Sequence, residues 1–262
     1  MAKPRVMILR APGTNCDGET AFAFQRAGAE PTAVHILQWI EQPTISESFQ
    51  ILCFPGGFSF GDDIAAGRIL ASKIHTHLAD AIHKFQTEDK LVLGICNGFQ
   101  IMMRLGIFFD APPEKPPATL CWNRQGRYED RWVHLAVQRQ DSPFLRGIDT
   151  MFLPIAHAEG RIVFASRQTQ QELESQGQLA VRYATSEGIT DHDDILPFPV
   201  NPNGAEGNVA GLCDPTGRIL GLMPHPERHI DPTHHPAWTR FDSLPAEGDG
   251  MAIFRNAAGY FV

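Results

Sequence analysis

Several things are missing from this chain, and each absence narrows what it can be. No stretch approaches the roughly 20 consecutive apolar residues that a membrane helix needs. The start of the chain runs straight into a strand-like segment, Val6–Leu9, with no signal-peptide apolar core before it. Basic residues are in the minority, 22 Lys and Arg against 30 Asp and Glu for a formal net charge of -8. That balance argues against the clustered positive surface on which nucleic-acid binding depends. Five scattered cysteines make no disulfide framework, and no pair of them has zinc-site spacing; a reducing cytoplasm is the expected compartment. There is no G-x-x-x-x-G-K-[ST] loop for nucleotide phosphates, and no internal repeat.

What is present points to an α/β protein. Strand-like runs at Val6–Arg10, Thr32–Ile36 and Ile51–Phe54 alternate with helical spacing, which predicts an open, mostly parallel sheet with helices on both faces. Thr14, Asn15 or Asp17 is placed to cap the first helix and Gly28 to end it. Residues 64–87 read as one helix, 111–117 as a proline-rich break within a single 1–262 domain, and 166–177 as a short polar helix. Further strands are expected at Trp132–Val137 and Met151–Ile155, with a hairpin from Val209–Cys213 to Ile219–Met223. Asp191–Asp194 reads as a solvated acidic turn, and residues 197–207 as a loop.

The chain is organised around residues 91–105, L-V-L-G-I-C-N-G-F-Q-I-M-M-R-L. An apolar run ends in Gly94, Cys96 follows, and helical spacing begins at once. Strand, sharp turn and helix around G-x-C-x-G is the setting of a nucleophile elbow. It is also the setting of a small buried cysteine. A second segment, Pro55-Gly56-Gly57-Phe58-Ser59-Phe60-Gly61-Asp62-Asp63, follows the third strand. Its adjacent glycines allow backbone N–H groups to face a ligand at the sheet edge, or simply make a tight turn. A third, Pro224-His225-Pro226-Glu227, is forced into an extended path by its prolines, so that His225 and Glu227 project to one side. An imidazole and its orienting carboxylate are what a cysteine nucleophile needs. All three segments sit at predicted C-terminal strand ends. His229, His234 and His235 lie in a proline-rich tail, where no metal is expected, and His75, His77 and His83 on a helix.

G-I-C-N-G-F-Q, P-H-P-E and F-P-G-G-F-S-F-G-D-D together resemble the class I, triad-type glutamine amidotransferases. With P-G-T-N-C-D, A-H-A-E-G at 156–160 and G-D-G-M-A-I-F-R-N-A, they resemble in particular the glutaminase-subunit family of the phosphoribosylformylglycinamidine synthases. The likeness spans nearly the whole chain and implies a flavodoxin-like fold. It implies that Cys96 attacks glutamine, His225 moves protons, Glu227 holds His225, and the N–H groups of Gly57 and Asn97 form an oxyanion hole. Gln100, Gly56 and Asn123 would contact substrate. It further implies no cofactor in this chain, with ATP and Mg on a large synthetase subunit assisted by a small accessory subunit. Loops around 58–68, with Arg68, are expected at that contact. Alternatives are service to another synthetase, a cysteine hydrolase on a related fold, or an inactive scaffold. The chain departs from the family pattern at Gln125 and Ala158, and in a longer tail before Gly248.

Overall fold

A computed structural model describes residues 3–111 and 115–262; Pro112, Pro113 and Glu114 of the proline-rich break lie outside the described residues. The first half alternates: β1 (Arg5–Arg10), α1 (Asp17–Arg26), β2 (Glu30–His35), α2 (Ile36–Glu41), β3 (Ile51–Phe54), α3 (Arg68–His77), α4 (Ala79–Thr87), β4 (Leu91–Ile95) and α5 (Asn97–Leu105). The second half is richer in strands: β5 (Ala118–Cys121), β6 (Glu129–Val137), β7 (Thr150–His157), β8 (Arg161–Phe164), α6 (Arg167–Ser175), β9 (Val181–Ala184), β10 (Val209–Cys213), β11 (Ile219–Leu222) and α7 (Met251–Gly259).

Among the described residues nine strands form one open sheet in the order β2-β1-β3-β4-β11-β10-β9-β6-β7, and β5 pairs with β8 apart from it. The run β2-β1-β3-β4-β11 is parallel and has the doubly wound order of flavodoxin-like sheets. β3, β4 and β11 are buried at every residue, as strands covered on both faces must be. Phe24 of α1 meets Phe254 of α7 edge-on at 4.9 Å, while α5 presses Phe99 against Gly221 of β11. Beyond β11 the sheet turns antiparallel through β10, β9, β6 and β7. Hairpin-length connections cannot make parallel pairs, and Asp214–Arg218 is such a connection.

Two local expectations change. Residues 64–87 are not one helix: 64–67 form a bend and a turn, Gly67 is left-handed (φ 71°), and Leu78 (φ -131°) divides α3 from α4. No glycine or proline marks the break at Leu78. The first helix has Cys16 at its N-cap, with no side chain capping it. Thr14 accepts from Ala11 N–H instead, and Asp17 pairs with Arg10. The histidine tail folds back on β7, where His229 Nδ1 lies 2.7 Å from Phe152 O and His229 packs edge-on to Trp132.

Candidate active site

Three neighbouring parallel strands end side by side and carry the three segments. Phe54 of β3 is in register with Gly94 of β4, and Ile95 of β4 with Leu222 of β11. Cys96 therefore follows its strand by one residue, Gly57 by three, and His225 by three. At this edge Cys96 N–H donates to Leu222 O at 2.8 Å. Cys96 has φ 51° and ψ -105°, a backbone conformation that costs about 1–3 kcal/mol and persists only where surroundings enforce it. They do so here: a Cβ on Gly98 would stand 2.5 Å from the Phe54 carbonyl carbon and 2.8 Å from its Cβ. Glycine at 98 lets α5 start directly against the end of β3.

His225 and Glu227 are each 2% exposed, with His225 Nδ1 2.6 Å from Glu227 Oε1. His225 N–H donates to Pro154 O at 2.8 Å, so β7 holds this segment although three strands separate β7 from β11. The antiparallel wing curls back over the site. Cys96 Sγ faces Ala156 O of the same strand at 3.6 Å. Burial works against a charge on His225, but Glu227 and then the Cys96 sulfur outweigh it and raise its proton affinity well above the ordinary imidazole value. Among the described residues Nε2 itself has no hydrogen-bond partner. Cys16 Sγ lies within 4.8 Å of a nitrogen of this imidazole.

A cavity of about 390 Å³ opens in front of Cys96, lined by Gly57, Gln100, His157, Glu159 and the apolar side chains of the rim. Gly57, with φ 136°, lies in its wall. Among the described residues neither Gly57 N–H nor Asn97 N–H donates to a backbone carbonyl. The Asn97 side chain accepts from Ser59 N–H and donates to Asp62 and Gln100, tying the glycine loop to α5. Gln100 Nε2 donates to Glu159 O at 2.5 Å. Glu159 in turn accepts from Arg104 (2.8 Å) and Ala66 N–H (3.2 Å).

Other predicted positions lie elsewhere in the arrangement. Gly56 packs against His225 and Cys16: a Cβ there would be 2.9 Å from His225 Cε1 and 3.0 Å from Cys16 Sγ. Asn123 is 2% exposed and spends its amide on the protein, donating to Arg127 O and His157 O and accepting from Gly160 N–H. Its Oδ1 also lies 3.2 Å from His157 Nδ1. Arg68 lines a separate cavity with His75 and Arg104. Gln125 donates to Pro202 O, which fastens the 197–207 loop.

Residues 3–261 match the family model of the CobB/CobQ-like glutamine amidotransferase domain. Over 258 residues the chain is 42% identical to the phosphoribosylformylglycinamidine synthase subunit PurQ of Dehalococcoides mccartyi, covering 98% of this chain and 97% of that one. The chain belongs to the PurQ family of glutamine amidotransferases. It is also 34% identical to the human phosphoribosylformylglycinamidine synthase, with 98% of this chain matching 20% of that longer one. Among solved structures, a chain of PurLQS from Thermotoga maritima superposes with a TM-score of 0.73 at 28% identity, covering 100% of both. The family's open sheet is thus the one described above. No helix among the described residues is long and apolar enough to cross a membrane.

Sequence reasoning passed over Cys16, His157, Glu159 and Arg104. His157 is 3% exposed and its Nε2 has no hydrogen-bond partner among the described residues. Burial and then the charge of His225 push it down to about 3. The A-H-A-E-G motif was a signal for His157 and Glu159. Cys16 stands in P-G-T-N-C-D, which marks the segment but gives the thiol no role, and nothing local marks Arg104; the partners of both are distant in the chain.

Proposed function

We propose that this chain is one glutamine amidotransferase domain that supplies ammonia for the conversion of formylglycinamide ribonucleotide to formylglycinamidine ribonucleotide in purine biosynthesis. The observation that carries the reading is the convergence of Cys96 and the His225–Glu227 couple from the ends of β4 and β11, in a chain of the PurQ family. Cys96 attacks the side-chain amide carbon of glutamine. It stands at the N-cap of α5, where the strand turns into the helix. The oxyanion is met by the N–H groups of Gly57 and Asn97, which have no backbone acceptor of their own among the described residues. A donor of this kind is worth about 3–4 kcal/mol in comparable sites.

His225 gives its proton to the departing ammonia, leaving a glutamyl thioester on Cys96. It then takes a proton from water, and glutamate leaves. Glu227 holds the imidazole in one tautomer throughout. Gln100 and the 156–159 backbone bound the part of the cavity into which the α-substituents of glutamine fit.

Ammonia released into water is protonated and stops being a nucleophile, so the cavity must open onto a synthetase. Phe58, Ile64, Trp122 and Tyr128 are exposed and line its mouth; this apolar rim is where we place the large subunit, with a small accessory subunit completing the assembly. ATP and Mg belong to that partner, since this chain has no P-loop, and the cytoplasm is the compartment.

The test is a glutaminase assay with and without the large subunit, combined with trapping by a glutamine analogue. Covalent labelling at Cys96, together with loss of glutamine-dependent but not ammonia-dependent synthesis in Cys96→Ala, is the expected result. Glutamine-dependent synthesis that survives Cys96→Ala refutes the reading.

A further inference from the structure

A second thiol reaches the imidazole that Glu227 holds. Cys16, at the start of α1, is 1% exposed. Its Sγ accepts from Arg228 Nη2 at 3.2 Å and points its own proton to Asn15 Oδ1 at 3.2 Å. Cys16 Sγ, a ring nitrogen of His225 and a carboxylate oxygen of Glu227 all lie within 4.8 Å of one another. Two side-chain atoms of this group, His225 Nε2 and Glu227 Oε2, are buried without a hydrogen-bond partner among the described residues. Thiol, imidazole and carboxylate are zinc's three ligand types, and three protein ligands with one open position is a familiar zinc arrangement. Zinc bonds of about 2.0–2.3 Å set tetrahedral ligands roughly 3.3–3.8 Å apart, so small side-chain rotations close the site. The soft sulfur selects zinc-like cations over magnesium.

We propose that Cys16, His225 and Glu227 form a site for a thiophilic divalent cation, zinc in the first instance, whose occupation switches off glutamine hydrolysis. Binding is not a redox event: the Cys16 thiol releases its proton to solvent, and the cation takes the thiolate, an imidazole lone pair and the carboxylate. Capture of Nε2 removes the base from Cys96, and capture of Nδ1 separates His225 from Glu227. Either arrests proton transfer, a consequence that rests on the role assigned to His225 above. Because metal competes with the thiol proton, affinity rises with pH. The cation leaves Cys96 itself uncoordinated.

Cobalt, as a spectroscopic substitute for zinc, tests the site without relying on activity. The full chain titrated with Co(II) is expected to take up one equivalent and develop a thiolate-to-cobalt charge-transfer band. The band is lost in Cys16→Ser and kept in Cys96→Ser. In parallel, zinc inhibition of glutamine hydrolysis reverses with a chelator, and Cys16→Ser weakens it by at least about tenfold relative to its own metal-free rate. Should Cys16→Ser fold poorly, the unmutated chain serves: with Cys96 blocked by a glutamine analogue, zinc must slow alkylation of Cys16 by a thiol reagent. A band that survives Cys16→Ser, a band lost only with Cys96→Ser, or zinc that leaves Cys16 alkylation unchanged overturns the proposal. A chain that binds cobalt through Cys16 yet never hydrolyses glutamine would instead refute the glutaminase reading and leave the site standing.

Discussion

Gly98→Ala puts the elbow to the hardest geometric test. The added Cβ would stand 2.5 Å from the Phe54 carbonyl carbon, against the 3.4 Å at which ordinary contact begins, a shortfall of 0.9 Å; the Phe54 oxygen is nearer still. Both neighbours belong to backbone or its first side-chain atom, and neither can rotate away. The start of α5 and the end of β3 must part by at least about 1 Å, and Cys96 moves with α5. Overpacking of this kind costs roughly 1–3 kcal/mol, or a fall in Tm of about 2–12 °C on the scale for domains of 150–250 residues. A displacement near 1 Å of a reacting atom costs on the order of 100-fold in rate. Gly18→Ala is the control: Gly18 lies in α1 with nothing within 4 Å of the new methyl, so stability stays level or rises by up to about 1 kcal/mol. Thermal unfolding and glutamine hydrolysis measured on both variants decide it. A Gly98→Ala protein with the parent Tm and rate would show that α5 does not depend on this close approach, and the account of the elbow would fail.

Glu227→Gln keeps the shape of the side chain and removes the charge that holds His225. Glutamine hydrolysis is expected to fall by roughly 100- to 10,000-fold, read by steady-state kinetics. The folded-state proton affinity of His225 is raised, so the stability it contributes is complete below the unfolded value and is lost as pH rises through the folded one. The variant's deficit, up to about 3–5 kcal/mol for a broken buried pair, is therefore largest near pH 6 and shrinks in alkali; a deficit growing with pH contradicts this. His157 behaves oppositely. With its folded value near 3 against 6.5, the unfolded chain binds the extra proton, and stability drops by about 2 kcal/mol between pH 8 and pH 5. His157→Gln should lose that part of the acid slope in urea titrations at the two pH values. Ile64→Asp, on the exposed rim, should spare folding and ammonia-dependent synthesis by the complex while lowering glutamine-dependent synthesis about tenfold or more through a charge at an apolar contact. An equal loss with both nitrogen sources argues against docking there.

The three segments of the site were legible because each is built from short-range chemistry. Glycines two residues either side of Cys96, paired glycines after an apolar run, and an imidazole and carboxylate between prolines all declare themselves within a few residues. Alternation and all-apolar runs likewise marked β1, β3, β4 and β11, which need no partner to be recognised. Position alone, however, did not assign roles to Gly56 and Asn123. Gly56 turns out to admit the His225 ring, and Asn123 knots the end of β7 to the 123–127 turn, facts carried by neighbours 169 and 34 residues away.

The sequence by itself determined which strands and turns form and which side chains stand at their ends, because backbone sterics and hydrophobic periodicity act locally. Only the tertiary structure decided that β7, distant in the sheet, curls back to hold His225 through Pro154, that α3 and α4 divide at Leu78, and that Cys16 meets a histidine 209 positions later. Such contacts follow from sheet order and twist, which depend on how the whole chain buries its apolar surface, and no window of neighbouring residues encodes them.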